Sequence, residues 1–298
     1  MSYPEPVRQP PVVPRKPWPP AAPVQKKLVT LSDNWASLAG GRDPWRLILY
    51  NFRTRNPHEV NWYLYNWVGC RAVTPDGKNY RFGSYDDRKG KAPGASAPLY
   101  LYIPHPDWEP DYDDIARDLV YETLLSSSAR SVYFNTSVAN VHFGDIGSVG
   151  TMVGSNHIQV GFNPGLVSHN AGALYMPKAD LLQLGSLHTG LGNRARIVHE
   201  AVHAAFDSRR SYLTAIEEEA IAYIAQCFYL QLLNGPTLPT GSFDWKPLAA
   251  KAWPIATAKR TGTPASAADF EALKSEVKAF YPHLADKPYT QYTHNGIS

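Results

Sequence analysis

One stretch of the chain constrains its fold more than any other. The run RARIVHEAVHAAF, residues 194–206, contains no Gly or Pro and places apolar residues at Ile197, Val198, Ala201, Val202, Ala205 and Phe206. That spacing predicts an α-helix with a buried face. A second helical pattern, SYLTAIEEEAIAYIAQCFYLQLL, follows after a connection at about 208–213. The connection is short enough to make the two helices antiparallel neighbours. Thr214, with Glu217 at the third following position, predicts a capping box that opens the second helix. The rest of this half of the chain must therefore arrange itself around a helical hairpin.

The first helix carries chemistry. His199 and His203 lie one turn apart and project from one face, close enough to share a metal ion. Glu200 stands beside them, able to hold a water without taking a coordination position. Two neutral imidazoles bind Zn²⁺, the metal lowers the pKa of its water toward ~7, and the glutamate takes the proton. The bland alternative is a buried helix with two hydrogen-bonded histidines. A zinc site needs a third protein ligand, and the capping role assigned to Glu217 leaves Glu218 and Glu219. These point about a quarter-turn or more apart, so one of the two is expected to face the histidines.

His199-Glu200-Ala201-Val202-His203, followed by Glu219-Ala220 on a second helix, resembles the gluzincin metallopeptidases. In that group a downstream helical glutamate, often followed by alanine, completes HExxH, as in the thermolysin group. The resemblance implies that His199 and His203 bind Zn²⁺, Glu200 is the general base, Glu219 is the third ligand, and the substrate is a protein or peptide. Glu218 is the alternative third ligand. The chain departs from thermolysin-like enzymes at Tyr223, where they carry an aspartate that supports a histidine ligand. Asp207, a turn beyond His203, is a candidate for that support, with direct ligation or a solvated helix end as alternatives. Tyr212, Tyr223, His157 and His188 are candidates for stabilising the transition-state oxyanion. The strand-like NHIQVGF precedes the hairpin and is placed to pair with an extended substrate.

The remainder divides by composition. Residues 1–26 are proline-rich and predict an extended, disordered tether. From Leu28 the piece LVTLSDNWASLAG predicts a strand (28–31) and a helix capped by Ser32 or Asp33, with Trp35, Leu38 and Ala39 on one face. PWRLILYN predicts a helix starting at Pro44 and closed by Asn51. APLYLYIP predicts a strand. This order, with Ser32-Asp33-Asn34-Trp35 standing at the family's usual Gly-Asp-Thr-Leu, resembles the lysin motif (LysM), a βααβ carbohydrate-binding module. An insertion from Phe52 to Ala97 sets it apart. Trp62, Tyr63, Tyr65 and Trp67 in that insertion read either as a small aromatic core or as a sugar-stacking or partner surface, and Asp76-Gly77 reads as a turn. After an acidic, proline-bearing boundary at 105–114, IARDLVYETLLSSS predicts an amphipathic helix from about Asp113. The pieces VYFNTSVANVHFGDIGSVG and NHIQVGFNP read as glycine-rich and strand-like. ADFEALKSEVKAFY is the last expected helix.

The expected architecture is α+β: tether (1–26), LysM-like module with its inserted segment (27–108), and a zincin-like, mainly helical metallopeptidase domain with a small sheet (109–298). The chain has 44% hydrophobic and 18% charged residues and a net charge of only +3, which gives no case for nucleic acid. Cys70 and Cys227 form no metal-binding spacing. No run is apolar enough to cross a membrane, and the start lacks a secretory signal, so synthesis in the cytoplasm is expected, with any export left to a dedicated apparatus. The expected function is a zinc metallopeptidase, by analogy of architecture a delivered effector. Its partners through residues 27–108 would be peptidoglycan or a secretion or tail apparatus. The rival expectations are a docking or glycan-binding protein with a structural or degenerate zinc site, and an amidase or endopeptidase of peptidoglycan peptides.

Overall fold

The computed structural model describes residues 25–55, 57–68, 70, 73–82, 100–169, 172–235, 237–238, 245–261, 266–285 and 294–297. The tether expected at 1–26 lies almost wholly outside these residues, as do positions 83–97 of the inserted segment. The fold is α+β, and the chain separates into two compact units at Asp111–Tyr112. Among the described residues, no helix is long and apolar enough to cross a membrane.

In the first unit, strand β1 (Gln25–Leu28) leads to helices α1 (Trp35–Ala39), α2 (Pro44–Phe52) and α3 (Pro57–Tyr63), a π-helical turn at Leu64–Val68, and strand β2 (Tyr100–Ile103). β1 and β2 pair antiparallel, with Leu28 opposite Tyr100. The first strand ends three residues before the expected Leu31, because Thr30–Asp33 forms a turn in which Asp33 Oδ2 accepts from the Thr30 amide. Neither Ser32 nor Asp33 caps α1. Asn34 does, accepting from the Ser37 amide while Ser37 Oγ accepts from the Asn34 amide.

Asn51 does not close α2. Arg53 does, with φ of 51° and its N–H on Leu49 O. Asn51 is instead buried, donating to Leu47 O and Tyr102 O and accepting from Tyr102 N, so it pins α2 to β2. From the inserted segment, Tyr63 is buried and Trp62 and Tyr65 pack against the same core. Phe52 and Tyr63 stack at 4.9 Å, and Trp35 meets Phe82 edge-on at 4.9 Å. These aromatics are core rather than surface; the side chain of Trp67 lies outside the described residues. Asp76-Gly77 makes the expected turn, with the Gly77 amide on Thr74 O and Val73 bridged to Tyr80.

The second unit begins with α4 (Tyr112–Leu124), which buries Ile115, Leu119, Val120 and Leu124 as its spacing predicts, followed by α5 (Ser127–Arg130). After the short pair β3 (Phe134–Asn135) and β4 (Asn140–Val141) comes α6 (Asp145–Gly154), a helix where a strand-like piece was expected. Its glycines explain the difference: a Cβ at Gly150 would sit 3.0 Å from Leu124 Cβ, so the helix exists by close packing on α4 rather than by propensity. β5 (Gln159–Phe162), β6 (Ala173–Met176) and β7 (Leu181–Leu184) form a sheet in the order β5-β7-β6, with β5 parallel and β6 antiparallel to β7.

Then come α7 (Leu191–Ser208) and α8 (Ala215–Asn234), the predicted hairpin. They pack on each other more than any other pair of elements. The Thr214–Glu217 capping box is formed. α9 (Lys246–Arg260), unexpected because it carries Pro254 inside it, packs on α8 beside α10 (Ala267–Phe280), and α11 (Pro282–Ala285) follows.

Candidate metal centre

α7 and α8 bury nearly every residue along their contact, so polar side chains there need partners within the protein. His199, His203 and Glu219 are brought together. Each offers one donor atom, and these all lie within 4.8 Å of one another. His199 Nε2 is 3.2 Å from Glu219 Oε2, and His203 Nε2 is 3.6 Å from Glu219 Oε1. Glu218, the alternative third ligand, is not in this set. One step around the helix turns it to the far side of His203, where its Oε1 is 2.7 Å from Nδ1. A carboxylate on Nδ1 fixes the tautomer that leaves Nε2 free to bind a metal. Glu218 is thus the support for a histidine that the residue at Tyr223 does not provide.

Glu200 lies beside the pair, and its Oε2 accepts from the backbone amide of Tyr175 at 2.8 Å. That contact identifies the strand next to the site as β6. NHIQVGF, the expected strand, instead supplies β5 on the opposite edge of the sheet. Because the Tyr175 amide is turned toward Glu200 and away from β7, the period-2 backbone turns the outer edge of β6 toward the site, with Gly172–Tyr175 among the lining residues. A cleft of about 620 Å³ opens there over His199, Glu200, His203 and Glu219.

Tyr223 also lines the cleft. Its ring meets that of His199 edge-on at 4.6 Å, and its hydroxyl lies 2.7 Å from that of Tyr281. Burial first, then the charges of Glu219 and Glu200, with the charge of Tyr281 added at Tyr223, push both phenols far above their ordinary range, against the smaller pull of Tyr223 and Arg196 on Tyr281, so both stay protonated. Each hydroxyl carries one proton and their mutual bond consumes one, so the pair retains an O–H to donate.

Four expected candidates lie elsewhere. Asp207 is fully buried rather than a solvated helix end, and it touches neither histidine. It accepts from Tyr175 Oη at 2.8 Å and from the amides of Asn295 and Gly296. Tyr212 is 85% exposed, on the connection between the helices. His157 and His188 are exposed, bonded to Ser155 and to the Gly190 amide respectively.

Two residues came without sequence warning. Tyr281 follows α10 in a stretch read only as helix. His294 lies in a tail without periodicity, yet its Nε2 is 3.1 Å from Glu218 Oε2 and its Nδ1 is 2.6 Å from Ser211 O. Arg196, which also lines the cleft, was not singled out either, although it precedes His199 by three residues and so lies on the same helix face.

The electrostatics suit a dication. Burial opposes charge on His203, but the hydrogen bond it donates to Glu218 and the negative charges of Glu219, Glu218 and Glu200 prevail and push its pKa up to about 10. Burial would raise Glu218, yet bonds from His203 and His294 hold it below the ordinary carboxylate value. Ser211 O and the Glu218 carboxylate are both acceptors, so both His294 nitrogens donate and that ring is an imidazolium. Counted with His199 and His203 as the neutral donors that an ion requires, the carboxylates of Glu200, Glu218 and Glu219 outnumber the His294 imidazolium, an imbalance that a bound dication would offset. A set of two nitrogens and one carboxylate oxygen is the donor chemistry of zinc, so the residues fit that ion. Comparison of the chain with protein-family models, with curated proteins and with solved structures returned no match.

Proposed function

We propose that the second unit is a zinc-dependent peptide-bond hydrolase, with His199, His203 and Glu219 holding the ion. The observation that carries this reading is the joint placement of that triad and of Glu200 on the floor of one cleft, with Glu200 anchored by an edge strand. Bound Zn²⁺ supplies Lewis-acid polarisation and acidifies water toward ~7. The remaining work falls to the chain. With Oε2 held by the Tyr175 amide, Glu200 presents Oε1 as the base that removes a proton from the attacking water and returns it to the leaving nitrogen. The protonated Tyr223–Tyr281 pair donates to the oxygen on which charge develops. The outer edge of β6 offers backbone groups to an extended peptide. Together these features support a zincin-like reading of the unit and give its gluzincin resemblance a structural rationale.

The test is zinc content and hydrolysis of a peptide library by wild type and Glu200→Ala. The variant is expected to keep one zinc per chain and lose hydrolysis. A zinc-loaded wild type without activity on any peptide would favour the docking reading. In the first unit, a strand and two helices, followed after the inserted α3 and π-helical turn by a closing antiparallel strand, support a lysin-motif-like module. Sedimentation of residues 27–108 with purified cell wall tests glycan binding and with it the peptidoglycan-peptide alternative.

A further inference from the structure

The segment at 294–297 returns to the turn between α7 and α8 and fastens it at three points. His294 Nδ1 donates to Ser211 O at 2.6 Å, inside the turn. Its Nε2 reaches Glu218, at 3.1 Å from Oε2 and 3.3 Å from Oε1. The amides of Asn295 and Gly296 donate to Asp207 Oδ1 at 2.9 and 3.1 Å, at the end of α7. The backbone there favours glycine at 296, with φ of 81°.

Glu218 therefore sits between two imidazoles. One belongs to the metal triad and the other comes from 76 residues further along the chain. A carboxylate that supports a metal-binding histidine must itself be held, or it rotates and releases the ring. Among the described residues, the side chains bonded to the Glu218 carboxylate are His203 and His294, and His203 is the group being oriented. The side chain of His294 is 3% exposed, so solvent does not substitute for it.

We propose that His294 is a positioning residue of the metal centre, fixing the Glu218 carboxylate so that His203 presents Nε2 to the ion. The inference rests on the zinc reading above. His294 does not touch the ion or substrate; it acts through Glu218.

The experiment measures the Zn²⁺ dissociation constant of the full apo chain, by competition with a chelator, for wild type, His294→Ala, Glu218→Gln and the double variant. Loss of an outer partner of a metal-binding histidine weakens affinity by about 10- to 100-fold, and that loss is expected for His294→Ala. If the effect passes through Glu218, His294→Ala in the Glu218→Gln background adds no more than about twofold. Added imidazole is expected to restore part of the affinity of His294→Ala and none of that of Glu218→Gln. An unchanged constant in His294→Ala, or the same loss in both backgrounds, overturns the proposal. Should the alanine variant fail to fold, as read by the melting temperature of the apo chain, His294→Phe, which fills the same space without a donor toward Glu218, carries the same cycle. A wild type that binds no Zn²⁺ overturns the function reading itself, whereas binding that is indifferent to His294 overturns this inference alone.

Discussion

Both units bury polar side chains, and they use them in opposite ways. In the first, each such group closes on a partner: Asn51 on the backbone of Leu47 and Tyr102, Thr54 on Glu59, and Asn61 on Lys78 O and the Tyr80 amide. These bonds join helix to strand and loop to helix. In the second, three carboxylates crowd around His199 and His203 beside a cleft. Buried polarity that ends on backbone is structural glue. Buried polarity that concentrates one sign of charge at an opening is where chemistry is to be sought.

The contrast breaks most visibly at His203. His203→Ala leaves Glu218 and Glu219 buried without their shared cation, a loss of about 3–5 kcal/mol for a buried pair deprived of one partner. Urea unfolding of the metal-free protein should show that cost, with zinc binding abolished. A loss below 1 kcal/mol would mean that the cluster is hydrated and not the charged core described here. Next in size is the phenol pair. Converting both Tyr223 and Tyr281 to Phe removes every O–H at that point of the cleft, and peptide hydrolysis should fall about 10²- to 10³-fold, as for loss of an oxyanion donor. Zinc content should not change. If either single variant alone costs as much as the pair, the retained-proton argument is wrong, since one phenol can donate without the other.

On the other side of the comparison, Asn51→Leu strands the Tyr102 amide and carbonyl, at about 1–3 kcal/mol for each unsatisfied buried group. Hydrogen exchange by mass spectrometry should show faster opening of residues 25–103 with no change in zinc affinity. An equal change in zinc affinity would erase the distinction between structural and chemical polarity.

What the sequence made legible was local. The α7–α8 hairpin could be read because its periodicity and its Thr214–Glu217 cap are written within a few residues. His199, Glu200 and His203 followed from helical spacing alone. Beyond one helix turn the reading weakened. Spacing could not choose between Glu218 and Glu219, and the resemblance favoured the residue that the structure brings beside both imidazoles. α6 was missed because its glycines serve packing against α4, and α9 because prolines outweighed its apolar face. Asp207 and Tyr212 were proposed from proximity in sequence, but Asp207 turns to Tyr175 and Tyr212 to solvent. His294 had no sequence signal, since its role is created by a contact spanning 76 residues.

The smallest effect expected is a difference of slope, and it separates the units without any mutation. In the metal-free protein His203 keeps its proton up to about pH 10. Its folded pKa stands above the value of ~6.5 for an unperturbed imidazole. The stabilisation it brings is therefore full below pH 6.5 and fades as pH rises toward 10. Zinc needs the lone pair on Nε2, so binding expels that proton, and apparent affinity should rise about tenfold per pH unit, or 1.4 kcal/mol, across this window. Metal-free stability of residues 112–298 should thus fall by about 1.4 kcal/mol per pH unit between pH 7 and 9, while zinc-loaded stability stays level because the gain in affinity offsets that fall. The first unit ties its interior with groups that do not titrate there: Asp33 is held low by its bonds to Thr30, and Tyr50 is pushed up by burial. Exchange protection of residues 25–103, corrected for the intrinsic rate, should be flat over the same range. A zinc affinity equally flat would show that His203 is already neutral before the metal arrives, and that the carboxylates around it carry less charge than the packing of α7 on α8 demands.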